Sequence, residues 1–417
     1  MSFSETGGEK CQARMLDLLF GEAGGKKKMK KTKICYIIGS LRIGGAERDL
    51  IALVENIDKD KYEFIIVCLK ETGPLETAAL KAGARIISLE LNMKRGLFNP
   101  LSYISLLKTI IKLYNIYKID KPDIVHCFLY HAYILGILSA RIITKFPLAT
   151  ISTRLSLGLF KDRHPLMQKL EDYTNKYTDY VIVNSKAVAD DVLKREKNVD
   201  LEKMRLIYNG VDIERLTEKS VYYFKKEKYG IPADSKVVGV IANLIPYKGH
   251  KDIIEAIPNI LIKYSHTYFV FVGQDRGIQK ELEAFAIKHK VNTRIIFTGL
   301  VDDIRQIMPI FDIYLSASHE EGFSNSVLEA MVSGKAIIAT NVGGNPEAII
   351  DGETGLLIPP KNPEKITDAV VKLLTNDQLA VKLGQNAFKY CKETFPRSRM
   401  VSETEKLYAE IMNKSAN

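Results

Sequence analysis

Short apolar runs of strand length alternate with longer segments of helical period from Lys33 onward. Seven runs lie between residues 33 and 209: KICYIIGS, YEFIIVCL, ARIISLEL, DIVHCFL, LATISTR, DYVIVNS and KMRLIYN. Runs that are apolar on both faces are typical of parallel strands covered by helices on both sides of a sheet. The pattern therefore predicts an α/β domain over residues 33–208.

The alternation restarts with six further runs: SKVVGVIANL, YFVFVGQ, RIIFTGL, IYLSAS, KAIIATN and GLLIPP. They predict a second α/β domain over residues 209–395, joined to the first at the turn signal Asn209-Gly210. Two Rossmann-like domains would face each other across a cleft, where ligands bind in such folds. Residues 396–417 have a helical pattern, and the first domain is the candidate surface for this helix to pack on.

The first residues differ from the rest of the chain. They are polar and rich in glycine, and we expect residues 1–32 to form a flexible extension. Elsewhere no apolar run reaches the roughly 18 residues that a membrane-spanning helix needs. The five cysteines, at positions 11, 35, 68, 127 and 391, form no C-x-x-C pair, which indicates reduced thiols and a cytoplasmic protein.

The excess of basic residues narrows the class of partner. A net charge of +10 favours anionic partners such as nucleotides, phosphorylated lipids or membrane surfaces, and nucleic acid is not expected among them. The segment 103–121 is apolar on one side and carries lysines at 108, 112, 118 and 121. It predicts either a helix with a solvated basic face or, together with Lys94 and Arg95, a peripheral contact with the inner face of a membrane.

Two glycine-containing loops are candidates for anion binding. In IIGSLRIGGAERDL, Gly44 and Gly45 stand between a strand and a helix, where free backbone N–H groups attract an anion. A plain tight turn is the alternative. In IANLIPYKGH, Lys248 follows a strand at the rim of the cleft, where it would neutralise charge on a departing phosphate unless it is simply solvated.

The stretch HEEGFSNSVLEAM places Glu321 before a helix and Glu329 inside it, with Ser324 or Asn325 as the capping residue. Glu329 would lie about 6 Å along the helix axis from the cap. A diphosphate held at the helix start would then have one carboxylate near each end, for the hydroxyls of a sugar and of a ribose. In the following VGGNPEAI, Glu347 would complement the dipole of its own helix.

Histidines and acidic pairs offer further candidates. His126 ends a strand and His131 begins a helix, and either would lie near the cleft rim, where a histidine orients hydroxyl groups or has a structural role. Asp58-Lys59-Asp60 matches a D-x-D metal pattern, but a charged, solvated loop is favoured. Without an H-E-x-x-H motif or a Cys/His cluster, we expect no metal site.

These segments resemble the family 4 retaining glycosyltransferases, which have the GT-B fold and an E-x7-E region. The resemblance rests on EGFSNSVLEAM, GKAIIATNVGGNPE and DGETGLL, with DIVHCFLYHA, VNS, YNGVD, YKGH and the Gly44-Gly45 loop, and spans nearly all of residues 33–395. It implies that Glu321 binds the hydroxyls of the transferred sugar and Glu329 the ribose. Backbone amides of Gly322, Phe323 and Ser324 would assist.

The resemblance also implies that Lys248 binds the diphosphate and that Gly45 approaches it from the first domain. The family usually has an arginine five residues before this lysine, but here the position is Asn243, which brings no charge. Arg276 is a candidate replacement. Between the two histidines, the resemblance favours His131, because family variants have histidine-alanine at this point.

The implied activity is transfer of a sugar, with retention of configuration, from a nucleotide-diphosphate sugar to a hydroxyl of a glycan or lipid-linked glycan. Such an enzyme would serve polysaccharide or glycolipid biosynthesis, with the donor as a substrate and no separate cofactor. The alternatives are a sugar-nucleotide epimerase or phosphorylase on a similar scaffold, and a non-catalytic module that binds sugar nucleotides or membranes.

Overall fold

The computed structural model describes residues 30–92, 100–144, 148–159, 164–218 and 225–416. Most of the predicted extension, and Lys94 and Arg95 of the predicted membrane contact, lie outside these ranges. None of the helices within them combines the length and apolar character that crossing a bilayer requires.

The first domain contains a parallel sheet of seven described strands, in the order β3-β2-β1-β4-β5-β6-β7. The strands are β1 (Thr32–Ile38), β2 (Tyr62–Cys68), β3 (Arg85–Ser88), β4 (Ile124–Phe128), β5 (Ala149–Arg154), β6 (Tyr180–Val183) and β7 (Met204–Leu206). Each of the seven predicted runs contains one strand, so the predicted architecture of this domain is confirmed. The central strand β4 is buried along its whole length, which explains its apolar sequence.

Helices cover both faces of this sheet. They are α1 (Gly45–Asn56), α2 (Glu76–Lys81), α3 (Pro100–Asp120), α4 (Tyr130–Leu138), α5 (Pro165–Asn175) and α6 (Lys186–Arg195). A π-helical turn over Ser139–Thr144 continues α4. The core on the α1 side includes Tyr36 and Leu50, and the core on the α3 and α4 side includes Ile37, Tyr117 and Ile134.

The second domain contains a parallel sheet of six described strands, in the order β10-β9-β8-β11-β12-β13. They are β8 (Lys236–Ile241), β9 (Thr267–Val272), β10 (Ile295–Gly299), β11 (Ile313–Ser316), β12 (Ala336–Thr340) and β13 (Leu356–Ile358). The helices are α7 (Ile213–Thr217), α8 (His250–Lys263), α9 (Gln279–Lys288), α10 (Asn325–Val332), α11 (Asn345–Ala348), α12 (Pro363–Leu374) and α13 (Asp377–Thr394). All six predicted runs contain a strand, so the two-domain α/β prediction is confirmed.

The direction of winding reverses once in each sheet, between β1 and β4 in the first and between β8 and β11 in the second. Loops that leave neighbouring strands in opposite directions open a crevice at the carboxyl ends of those strands. The segments that follow these four strands, up to the first turn of the next helix, carry Gly45, His131, Lys248 and Glu321. The topology therefore gathers residues from four distant parts of the sequence at the cleft.

The last helix, α14 (Arg397–Ala416), returns to the first domain. Its Tyr408 is fully buried in the first-domain core, and the backbone N–H of Asp58 donates to Glu405 (2.7 Å). Where the chain crosses back, the guanidinium of Arg397 pairs with Asp212 (2.9 Å). The helix predicted to pack on the first domain does so.

Candidate active site

The start of α10 lies at the interface between the domains. Ser324 occupies the N-cap position, but neither its hydroxyl nor another side chain among the described residues caps the helix. Asn325 instead donates from Nδ2 to Oδ1 of Asp49 in the first domain (2.7 Å) and accepts from Asn209 (2.8 Å). The predicted side-chain cap is therefore wrong, and the first N–H groups of α10 have no side-chain acceptor among the described residues.

Glu321 and Lys248 form a close ion pair at the cleft. The Lys248 ammonium lies 2.6 Å from Oε2 of Glu321, and the Ser318 hydroxyl donates to the same oxygen (3.1 Å). Burial alone would lower the pKa of Lys248, but the charge and hydrogen bond of Glu321 outweigh burial, so the pKa is raised. Lys248 is thus a permanent cation, held at the rim of β8 by a carboxylate from the loop after β11.

Gly249 explains why a glycine follows this lysine. Its φ of +72° is in the left-handed region, and a Cβ atom there would lie 1.9 Å from the carbonyl oxygen of Ala317. Only glycine lets the Lys248 loop approach the end of β11 this closely. The short distance between Lys248 and Glu321 depends on that approach.

Glu329 lies one turn inside α10, facing the first domain. Its nearest described cation is Arg48 of the first domain, 3.8 Å away. Burial raises the pKa of Glu329, while the charges of Arg48, Arg215 and Arg397 oppose the rise. A cavity of about 470 Å³ opens beside Glu329, lined from both domains by residues that include Arg48, Asp49, Pro74, Arg215, Asp303 and Asn325.

The start of α1 faces the start of α10 across the cleft. A Cβ atom on Gly45 would lie 3.9 Å from Nδ2 of Asn325, and Gly44 at the N-cap has extended backbone geometry. The carboxylate of Glu47 folds back over Gly44. The N-termini of α1 and α10 thus lie close together at the cleft, and a helix N-terminus favours an anion.

The position of the missing family arginine is filled differently. The side-chain oxygen of Asn243 accepts a hydrogen bond from the backbone N–H of Gln274 (3.1 Å), so it braces a loop. Arg276 lies on that loop, and its charge opposes the rise that burial causes in the pKa of Glu47 of the first domain. The Asn243 position thus supplies no charge, and the only candidate replacement that the sequence indicates, Arg276, lies on the loop after β9.

The loop Gly322-Phe323 holds the second domain against the first. A Cβ atom on Gly322 would lie 2.1 Å from the carbonyl oxygen of Leu155, which leaves no room for a side chain. Phe323 is buried, and its ring packs against Tyr208 and Phe395, with centroid distances of 5.1 and 5.2 Å. Phe323 can thus contribute to a ligand site only through its backbone.

The two candidate histidines have different surroundings. His126 is buried, with Nδ1 2.7 Å from the Tyr408 hydroxyl and Nε2 2.6 Å from the Thr153 hydroxyl, and burial lowers its pKa to about 3. It serves to anchor α14. His131 is exposed on the first turn of α4, and desolvation and then the charge of Lys70 lower its pKa, so the imidazole is neutral near pH 7.

Glu347 makes contacts with the first domain that the sequence pattern did not predict. Its carboxylate accepts from the backbone N–H groups of Lys186 (2.8 Å) and Ala187 (2.9 Å) at the start of α6, and from the Tyr208 hydroxyl (2.9 Å). Beyond any effect on the dipole of α11, Glu347 therefore caps a helix of the other domain. The only sequence signal for this contact is the stretch VNS, which marks the end of a strand and the start of α6, where free N–H groups need acceptors.

A buried charge network at the end of β5 was also missed. Arg154 donates to Glu196 (3.1 Å) and Asn175 (3.1 Å), and its guanidinium lies 3.7 Å from the ring centre of Tyr133. It links α4, α5 and α6 of the first domain.

The Asp58-Lys59-Asp60 segment is a turn in which Lys61 pairs with Asp58 (2.9 Å). The described residues contain no acidic, histidine or cysteine cluster suited to a metal ion.

We expect Asp49 to make stability depend on pH. Burial raises the pKa of Asp49 to about 7, so the folded protein holds an additional proton between about pH 4 and 7, and stability falls as pH rises through that window. Asp49→Asn keeps an acceptor for Asn325 and removes the charge. Thermal melts should show its melting temperature about 2–4 °C above the parent's at alkaline pH and little changed near pH 4.

The control is Asp58→Asn. The hydrogen bond from Lys61 lowers the pKa of Asp58, so its loss acts in the opposite direction and costs stability at alkaline pH. A melting-temperature increment for Asp49→Asn that is the same at both pH values would contradict the assignment.

Two family models match the chain in succession. Residues 43–215 match "Glycosyltransferase Family 4" and residues 223–390 match "Glycosyl transferases group 1". The two matches correspond to the first and second domains and meet close to the junction between them.

Relatives and solved structures agree with these matches. An uncharacterized glycosyltransferase of Methanocaldococcus jannaschii is 33% identical over 57% of this chain, an alignment that spans only 60% of that relative. The UDP-Gal:alpha-D-GlcNAc-diphosphoundecaprenol alpha-1,3-galactosyltransferase of Escherichia coli is 27% identical over 93% of this chain and 100% of its own length.

The structure of Anabaena HepE in complex with UDP and glucose superposes with a TM-score of 0.76 at 20% identity, covering 91% of this chain and 99% of HepE. At that identity the likeness shows the fold. The two family matches, one on each domain, show that the chain belongs to the family 4 type glycosyltransferases, and the two facing sheets have the GT-B fold that the likeness to HepE shows.

Proposed function

We propose that the protein transfers a sugar from a nucleotide-diphosphate sugar to a hydroxyl of a glycan or lipid-linked glycan, with retention of configuration. The observation that carries the proposal is the Lys248–Glu321 pair (2.6 Å), which stands next to the uncapped start of α10. A cation and helix N–H groups are what a departing diphosphate needs, and a carboxylate is what sugar hydroxyls need.

The residues would divide the donor between them. Lys248 and the starts of α1 and α10 would stabilise the negative charge that grows on the leaving diphosphate as the bond to the sugar breaks. Glu321 would hold the sugar hydroxyls, and Glu329 the ribose beside the cavity. His131, neutral and exposed at the rim of β4, would orient a hydroxyl on the acceptor side.

Retention is proposed on the basis of the family type. The acceptor hydroxyl would attack the face of the sugar from which the diphosphate departs, and a donor phosphate oxygen would take up its proton. The donor is consumed as a substrate, and no separate cofactor enters this scheme. A lipid-linked acceptor is supported by the Escherichia coli relative, whose name specifies a diphosphoundecaprenol acceptor, and it implies a reaction at the inner face of a membrane.

The test is release of nucleoside diphosphate from a panel of nucleotide sugars, with and without glycan and lipid-linked acceptors. We expect release that depends on the acceptor, and a product whose anomeric configuration, read by NMR, equals that of the donor. Binding without release under every acceptor would identify a non-catalytic module. Conversion of the donor sugar without release would identify an epimerase.

A further inference from the structure

Two helices of the first domain leave apolar side chains exposed on faces that carry lysine but no acid. On α3, Ile104, Leu107, Ile111 and Ile119 are each at least half exposed, with Lys108 and Lys118 exposed between them. On α5, Leu166 (72% exposed), Leu170 and Tyr173 follow each other at helical spacing. Lys169 on α5 and Lys176 directly after it are exposed beside these side chains.

The acidic residues of both helices are turned away or paired. Asp120 of α3 pairs with Arg85. On α5, Glu171 is fully buried, and Asp172 accepts from the backbone N–H of Lys197 (2.8 Å). Glu90, which precedes α3 in the chain, is exposed and lies 3.8 Å from Lys112 at the edge of α3.

The two faces belong to one layer of the fold. Helices α3, α4 and α5 precede β4, β5 and β6, and right-handed crossovers place them on the same side of the sheet. The Tyr130 hydroxyl at the start of α4 donates to the carbonyl oxygen of Met167 (2.6 Å), which fastens α5 to α4. The exposed faces of α3 and α5 therefore flank α4, and we call them together the docking face.

We propose that the docking face binds the surface of a membrane that contains anionic phospholipid. Apolar side chains interspersed with lysine are what an interfacial helix needs, because the former enter the acyl boundary and the latter meet the phosphates. The absence of acid from both faces, among the described residues, makes the charge complementary to anionic lipid. A membrane surface explains why two separate helices share exposed apolar side chains with lysine and without acid, whereas a folded protein partner would not require that both helices have this composition.

The proposal deepens the proposed function, because α4 carries His131 at its cleft end. Docking through α3 and α5 would hold the acceptor side of the cleft near the lipid surface, within reach of a lipid-linked glycan. Lipid binding itself requires neither donor nor turnover, so its failure and the failure of the transferase proposal can be told apart.

The experiment is sedimentation of the full chain with vesicles of phosphatidylcholine alone or mixed with phosphatidylglycerol. The parent should sediment with the anionic vesicles and stay in solution with the neutral ones. Leu166→Glu/Leu170→Glu and Leu107→Glu/Ile111→Glu should each weaken binding by about tenfold or more, since apolar burial and charge attraction are both lost. The matched control is Ile262→Glu, at an 81% exposed isoleucine of the second domain, which should bind as the parent does.

Three results would overturn the proposal. The parent could fail to bind anionic vesicles, the α5 variant could bind as well as the parent, or ultracentrifugation could show a dimer that the variants dissociate, which would make the face an interface between copies. Unchanged melting temperatures and unchanged turnover on a water-soluble acceptor establish that the variants are folded.

Discussion

Glu321→Ala is expected to reduce turnover by about 100- to 1,000-fold, the effect of removing one group that acts on the transition state. The carboxylate is positioned by Lys248 (2.6 Å) and Ser318 (3.1 Å), so its orientation toward a sugar is fixed before the donor binds. Affinity for nucleoside diphosphate should be kept or increased, because Lys248 is released from its carboxylate partner. The measurements are nucleotide release at saturating donor and calorimetric titration with nucleoside diphosphate.

The neighbouring carboxylate provides the control. Glu320→Ala removes the same charge from the same loop, and its turnover should stay close to that of the parent, since the ion pair is made by Glu321. If both variants lose turnover equally, the loss comes from a disturbed loop and not from the Glu321 carboxylate itself. If Glu321→Ala turns over like the parent, the sugar assignment is wrong.

Glu329→Ala is expected to weaken nucleoside diphosphate binding by about 10- to 100-fold, the value of a hydrogen bond to a charged acceptor. Its carboxylate lies beside the interdomain cavity, one turn from the α10 start, at the position that we assign to the ribose. Turnover at saturating donor should fall far less than affinity, because this contact exists before and during the reaction.

Deoxynucleoside diphosphates sharpen the test. The parent should bind the 2′- or 3′-deoxy ligand more weakly than the ribonucleotide, whereas Glu329→Ala should bind them alike, because the carboxylate that reads the hydroxyl is gone. Glu329→Gln should fall between the two proteins. Equal ribonucleotide affinity in Glu329→Ala and the parent would remove the ribose assignment.

The architecture could be predicted because its signals are local. Thirteen apolar runs gave the thirteen described strands, since a parallel strand must be apolar on both faces wherever helices cover it. The return of α14 to the first domain was open in the sequence, because helical period indicates a buried face but not the surface that buries it.

The contacts between the domains could not be predicted in the same way. Asn325 and Asp49 are 276 residues apart, and Glu347 and Lys186 are 161 apart. A local reading assigns Asn325 and Glu347 to the helices in which they occur, as a cap and a dipole partner. Each group instead satisfies a hydrogen bond of the other domain, and only the relative placement of the sheets decides this.

The two hydrogen bonds that Glu347 accepts at the start of α6 couple the stability of the first domain to the presence of the second. The first domain cannot satisfy the N–H groups of Lys186 and Ala187 in this way without a residue from the second, and it also buries α14, which the second domain leads into. Opening the cleft should therefore expose these amides to hydrogen exchange. The exchange rates of these two backbone amide protons would then report domain opening without a fluorescent or spin label on the chain.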